Sequence, residues 1–144
     1  MKKIVLFTAS LLLVVLVSVM SFVFGRRYQQ QGYILEHEKD IAKEERSPHD
    51  GVGMSTAYSF FAGARDLKFA FRKRVLKPGS SIGYHLQNED EVYYIVSGTG
   101  MMKMNRDSLS VAAGDGVLTR PGNSHGLRQT GTDSLVVIIN YPVK

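Results

Sequence analysis

From residue 55 onward, apolar residues recur in short runs, and clusters of glycine, proline and small polar residues separate them. The runs at 58–61, 67–76, 92–96, 101–104, 109–111, 117–119 and 135–139 read as β-strands. In the second, alternation places Leu67, Phe69 and Phe71 on one face and Lys68, Arg72 and Arg74 on the other. Pro78-Gly79 and Pro121-Gly122 read as turns, and Ser97-Gly98-Thr99-Gly100 as a glycine-rich hairpin turn. No later segment has helical periodicity. Many short strands with turn signals between them predict an all-β sandwich or barrel over 55–144.

The first 54 residues differ in kind. Lys2 and Lys3 precede an uncharged stretch from Ile4 to Phe24. This stretch predicts an N-terminal apolar helix over 1–25, either a signal peptide or a membrane anchor. Both readings put the following domain outside the cytoplasm, periplasmic or extracellular, and the anchor would also tie it to the membrane. Residues 26–54 are polar and charged, with Ile34, Leu35, Ile41 and Ala42 at the spacing of a short surface helix. They read as a stalk, closed by the breakers of 47–53. His37 and His49 fall in it as solvated linker histidines, with the alternative for His49 of folding back over a site.

Composition narrows the chemistry. The 144-residue chain has no cysteine, so disulfides, thiolate metal sites and cysteine nucleophiles are excluded. The net charge is +5, but Lys2 and Lys3 belong to the N-terminal segment. The run Arg72-Lys73-Arg74 lies in an alternating strand and reads as a solvated face, with an anion-binding patch as the alternative. Nothing indicates a nucleic-acid partner.

The polar residues that stand out are His85, Gln87, Glu91 and His125. His85 and Gln87 are two apart and share a strand face. Asn88-Glu89-Asp90 reads as a turn, after which Glu91 opens the next strand opposite His85. His125 follows the Pro121-Gly122 turn. Four nitrogen and oxygen donors are thus expected to converge from three strands of one wall. Such donors suit a divalent Fe, Mn, Zn or Ni. Tyr93 shares the face of Glu91 and is a candidate catalytic residue, orienting a substrate or donating a proton, or else a packed core aromatic. Leu127 and Gln129 continue the His125 face.

The spacing resembles a known family. Gly79, five residues, His85, one residue, Gln87, three residues, Glu91, six residues and Gly98 resemble the first cupin motif. Gly114, five residues, Arg120-Pro121-Gly122, two residues, His125 and then Gln129 resemble the second. The resemblance covers roughly residues 65–141. It implies a double-stranded β-helix, or jelly-roll barrel, with a metal inside held by three histidines and a glutamate. Gln87 replaces the second histidine of the first motif, Arg120 a usual proline and Gln129 a usual asparagine. If Gln87 does not ligate, His85, Glu91 and His125 form a two-histidine, one-carboxylate set with open positions.

The resemblance implies a metal-dependent enzyme of dioxygenase, isomerase or lyase type acting on a small polar molecule. The alternatives are a non-catalytic module for a sugar or small acid, and a metal-free hydrogen-bonded barrel. Edge strands and the resemblance also lead to the expectation of a homodimer.

Overall fold

The computed structural model describes residues 32–143. The predicted N-terminal helix and its signal or anchor role lie outside these residues. Among those described, no helix is long and apolar enough to cross a membrane.

The elements run α1 (Glu38–Ile41), β1 (Ala42–Arg46), β2 (Met54–Phe60), β3 (Phe69–Leu76), β4 (Ser81–Leu86), β5 (Glu91–Ser97), β6 (Thr99–Met104), β7 (Asp107–Ala112), β8 (Gly116–Thr119), β9 (Ser124–Gln129) and β10 (Leu135–Pro142). All pairings are antiparallel. One sheet has the order β1-β2-β3-β10-β5-β8 and the other β4-β9-β6-β7. The period of two explains what faces inward. Along β5, Glu91, Tyr93 and Ile95 are buried, while Val92, Tyr94 and Val96 are exposed. Leu76, Ile82, Tyr93, Ile95, Met102, Leu127, Leu135 and Val137 are among the residues of one apolar core.

Three expectations change. First, the stretch at 97–100 is a corner, not a hairpin. β5 and β6 lie in different sheets, and Gly98 turns at φ 82° with its α-carbon packed against the Ser134 carbonyl. Second, the stalk assigned to 26–54 does not extend that far. The unit that holds the barrel begins at Glu36, and β1 pairs with β2 along its length. The helix expected there is the single turn α1.

Third, the inward face of β3 is the one that carries the arginines. Arg74 and Leu76 are buried, opposite Ala57 and Ser55 of β2, whose small side chains leave room for the guanidinium. The phenylalanines misled the parity: Phe71 packs outside the barrel against Phe60, 5.7 Å between ring centres. Of the basic run only Arg72 is exposed; Lys73 and Arg74 are covered and paired. Lys73 meets Glu38 at 2.6 Å, and Lys77 meets Glu44 at 2.7 Å. Arg74 donates to Glu45 at 3.0 Å and to Ser55 Oγ at 2.7 Å. The acidic residues of the supposed stalk are the counter-charges of β3.

The Arg74–Glu45 pair generates a stability prediction. Burial raises the Glu45 carboxyl, but hydrogen bonds from Lys43 and Arg74 prevail and hold it below its usual value. Exposed pairs contribute ~0.2–1 kcal/mol, whereas breaking a buried pair costs ~3–5 kcal/mol. Glu45 is 29% exposed and Arg74 only 7%. Glu45→Ala is expected to cost about 2 kcal/mol at neutral pH, between those limits. A lowered folded-state pKa stabilises above the ordinary carboxyl value of ~4.3 and loses that contribution as pH falls through the folded value. The gap between wild type and Glu45→Ala in urea unfolding should therefore narrow on acidification below about pH 4.

Candidate metal centre

His85 reaches the barrel interior through an irregularity in β4. Ile82 is buried, and so strict alternation would turn His85 outward. A register shift between Ile82 and His85 resets the parity, and His85 then pairs directly with His125 of β9. Tyr84 and Leu86 are correspondingly exposed. Glu91 comes from the other sheet: β5 pairs with β10 and β8, not with β4. The expectation of one wall is thus corrected. The link at 87–90 crosses between sheets, and the donors face each other across the barrel.

His85, Glu91 and His125 each offer one donor atom, all within 4.8 Å of one another, an arrangement that could hold a metal ion. The ring nitrogens facing the centre, Nε2 of both histidines, are 3.3 Å apart. Glu91 Oε2 lies 2.9 Å from His125 Nε2. That approach is close but not aligned as a hydrogen bond, and Oε2 is buried without one. His125 is fully buried and Glu91 is 6% exposed. The two Nε2 atoms are within hydrogen-bond reach of each other, but the buried Glu91 oxygen is left without a hydrogen bond, and three donors this crowded fit a cation between them.

The outer nitrogens are anchored. His85 Nδ1 lies 2.9 Å from the Gly83 carbonyl. A carbonyl only accepts, so Nδ1 carries the proton and Nε2 presents its lone pair inward. His125 Nδ1 lies 2.6 Å from Thr119 Oγ1. The hydroxyl can donate to Nδ1 while Nε2 holds a proton, or accept from it when Nε2 turns its lone pair to a cation. With no sulfur present, this N₂O set suits Fe, Mn, Zn or Ni.

Gln87 lies just beyond β4 on the wall of the same cavity, half-buried. Its backbone is held by Asn123 and Gly122, with its amide donating to the Asn123 carbonyl at 2.8 Å and its carbonyl accepting from the Gly122 amide at 2.9 Å. Its side chain makes no hydrogen bond among the described residues. Tyr93 also lines the cavity, its ring centre 5.0 Å from that of His125. Burial, with Glu91 beside it, pushes its phenol well above the ordinary value, so it stays protonated. Gln129 faces inward but does not shape the cavity: it ties turns together, accepting from the Gly79 amide and donating to the carbonyls of Gly131 and Asp133.

The cavity has a volume of about 430 Å³, the size of a small-molecule site. Three of its lining residues depart from the sequence expectation. Arg72 and Arg74 line it from β3, and His49 lines it from the segment before β2. His49 stacks on His85 with ring centres 3.5 Å apart and planes 3° from parallel. Burial, with His85 alongside, holds its imidazole below the ordinary histidine value. The alternative of folding back over the site is thus the one realised, whereas His37 is exposed. The arginines had a sequence signal, since Arg72 and Arg74 share their parity with Leu76.

A family model described as "Cupin domain" matches residues 73–141. An "Oxalate-binding protein" of Thermotoga maritima is 39% identical over 66 residues, covering 45% of this chain and 54% of its own length. The chain thus matches about half of that curated relative. The crystal structure of a predicted oxalate decarboxylase from Thermotoga maritima superposes with a TM-score of 0.69 at 25% identity, covering 77% of this chain and 100% of that one. A polyketide cyclase from Streptomyces resistomycificus superposes at 0.66 with 16% identity, over 78% and 80%. At that identity the likeness shows the fold alone.

The donor set yields an expected outcome. Purified without chelator, the chain should carry metal, and His85→Ala, Glu91→Ala or His125→Ala should lose it in elemental analysis. Full occupancy in any of these three would remove that residue from the set. Thr119→Val, which keeps shape but deletes the anchor of His125, should weaken metal affinity about 10- to 100-fold in chelator competition.

Proposed function

The chain belongs to the cupin superfamily, and on that premise we propose that its cavity is a divalent-metal site for a small carboxylic acid. The observation that carries this reading is a guanidinium on the wall, which Glu89 and Glu91 also line. Arg74 is neutralised by Glu45, but Arg72 has no acidic partner among the described residues and lines the cavity with its guanidinium 5.4 Å from the Tyr141 ring centre. A planar guanidinium fork is suited to a carboxylate. The name of the oxalate-binding relative supports the same ligand class.

His85, Glu91 and His125 would hold the ion, with Gln87 as an optional fourth donor through its amide oxygen. An ion bound there supplies Lewis acidity and binds adjacent oxygens of a ligand. Arg72 offsets the negative charge of the acid and fixes which end faces the wall. Tyr93, held protonated, contributes a neutral phenol beside His125 and is the candidate for orienting the ligand or donating a proton to it.

Turnover by the same site, of dioxygenase, isomerase or lyase type, is the second reading. It is favoured by the three-residue donor set, which leaves coordination positions open. Carbon dioxide release and oxygen consumption with metal-loaded protein and oxalate or related acids separate it from plain binding.

The uncharged stretch 4–24 behind Lys2 and Lys3 supports an extracytoplasmic domain, which fractionation of expressing cells tests. The exposed outer row Val92, Tyr94, Val96 and Leu118 supports a homodimer, which light scattering reads.

In calorimetric titration, metal-loaded protein is expected to bind oxalate or malonate but not a neutral sugar. Arg72→Gln should weaken acid binding at least about tenfold, the loss of a charge-assisted contact of ~1.5 kcal/mol or more, and leave metal content unchanged. Unaltered acid binding in Arg72→Gln would overturn the assignment of Arg72, and sugar binding would overturn the ligand class.

A further inference from the structure

We propose that His49 is a positioning residue of the metal centre: stacked on His85, it holds that imidazole with Nε2 turned toward Glu91 and His125. The metal-affinity readout of this inference rests on the proposed function, whereas the ring-orientation readout does not.

The stack is tight and nearly parallel, with ring centres 3.5 Å apart and planes within 3°. That separation is about the closest comfortable carbon–carbon contact of ~3.5 Å, so the rings overlap with almost no lateral slip. An imidazole ligates through a lone pair in its own ring plane. Two parallel planes held a full van der Waals contact apart do not meet at one ion. His49 therefore does not share an ion with His85 in this arrangement and acts through the ring beneath it. A sandwich of two neutral rings is disfavoured because their negative faces repel. A His85 polarised by a bound cation is electron-poor, and the face of a neutral imidazole then attracts it. The stack thus suits a cation-bearing His85.

His85 has one polar anchor on its far side, the Gly83 carbonyl at 2.9 Å, and this anchor lies within the irregular part of β4. That bond and the contact of Nε2 with His125 Nε2 at 3.3 Å act at the two ring nitrogens and leave the ring free to rock about the line joining them. The face of His49 removes that freedom.

His49 is itself firmly placed. The strap 47–53 is tied to β4: the Gly83 amide donates to the Pro48 carbonyl at 3.0 Å, the Ser81 amide to the Val52 carbonyl at 2.9 Å, and the Val52 amide to Ser81 Oγ at 3.0 Å. Strap and strand approach so closely that a Cβ on Gly83 would collide with the His49 carbonyl, and one on Gly51 with the Ser81 carbonyl. His49 and Asp50 both adopt left-handed backbone, φ 55° and 57°, a conformation that non-glycine residues hold only where the surroundings impose it.

The test uses the full chain in three variants. In metal-free, ¹⁵N-labelled wild type, the His85 side chain is expected to show one fixed tautomer, protonated at Nδ1. His49→Ala should average that signature and weaken metal affinity about 10- to 100-fold in chelator competition, as loss of support around a ligand does. His49→Phe, which keeps a flat face and no ligating atom, should restore both. Gly51→Ala, which pushes the strap off β4 with His49 intact, should reproduce the alanine variant, and thermal unfolding establishes that each variant is folded. The inference is overturned if His49→Ala keeps both tautomer and affinity, or if His49→Phe is as impaired as His49→Ala. A wild type that takes up no metal would sink the metal reading, while the tautomer comparison would still decide the role of His49.

Discussion

Two imidazole nitrogens and a carboxylate oxygen crowd one point of the barrel interior, and most of the distinctive structure serves to keep them there. The Nε2 atoms of His85 and His125 are 3.3 Å apart, with Glu91 Oε2 at 2.9 Å from the latter. A proton on His125 Nε2 lets the two rings hydrogen-bond, but the buried carboxylate oxygen still lacks compensation. A divalent ion meets that need. The outer nitrogens bond to Gly83 and Thr119, and the stacked face of His49 holds the His85 ring with its inner nitrogen toward the others. The irregularity in β4 turns His85 inward, and the sheet-to-sheet crossing at 87–90 brings Glu91 from the opposite side.

Charge pairing along β3 prepares the rest of the cavity. A strand with three successive basic residues would ordinarily turn toward water. Here the acidic residues of α1 and β1 neutralise Lys73, Arg74 and Lys77. Arg72 is left over and lies on the cavity wall. One edge of the six-stranded sheet therefore has two consequences: it adds a strand to the barrel, and among the described residues it leaves Arg72 on the cavity wall without an acidic partner. Substitution of the acidic residues would change the field in the cavity as well as the stability of the sheet.

Much of this was legible in the residues themselves. The strand runs follow from alternation, and the grouping of His85, Glu91 and His125 from motif spacing. Those signals are local or nearly so. What escaped is non-local. Phe69 and Phe71 outweighed Leu76 in a parity count, because the outer face of this sheet is also apolar. Gly98 looks the same in a hairpin as in a corner between sheets. The segment 36–53 is polar throughout, and its place in the barrel depends on counter-charges in β3 and on glycines in β4 that no window around it contains. His49 was ambiguous for the same reason: its partner is in another strand, and the fit of Gly51 against Ser81 that brings it there is a three-dimensional fact.

The buried donors also link the site to the stability of the barrel. A carboxylate 6% exposed and an imidazole fully buried cost free energy to desolvate, and among the described residues Glu91 Oε2 recovers none of it through a hydrogen bond. An ion that binds only the folded chain returns this cost by mass action, about 4 kcal/mol at a thousandfold excess over its Kd. The strap follows the same logic. Backbone held in a left-handed pair at His49 and Asp50 persists because its bonds to β4 outweigh it, and those bonds set the ring that faces His85. Gln87 stands outside this economy. Its backbone is held by Gly122 and Asn123, while its side chain makes no hydrogen bond among the described residues. The side chains of His85, Glu91 and His125 and the stacked ring of His49 are held by the fold, whereas that of Gln87 is not.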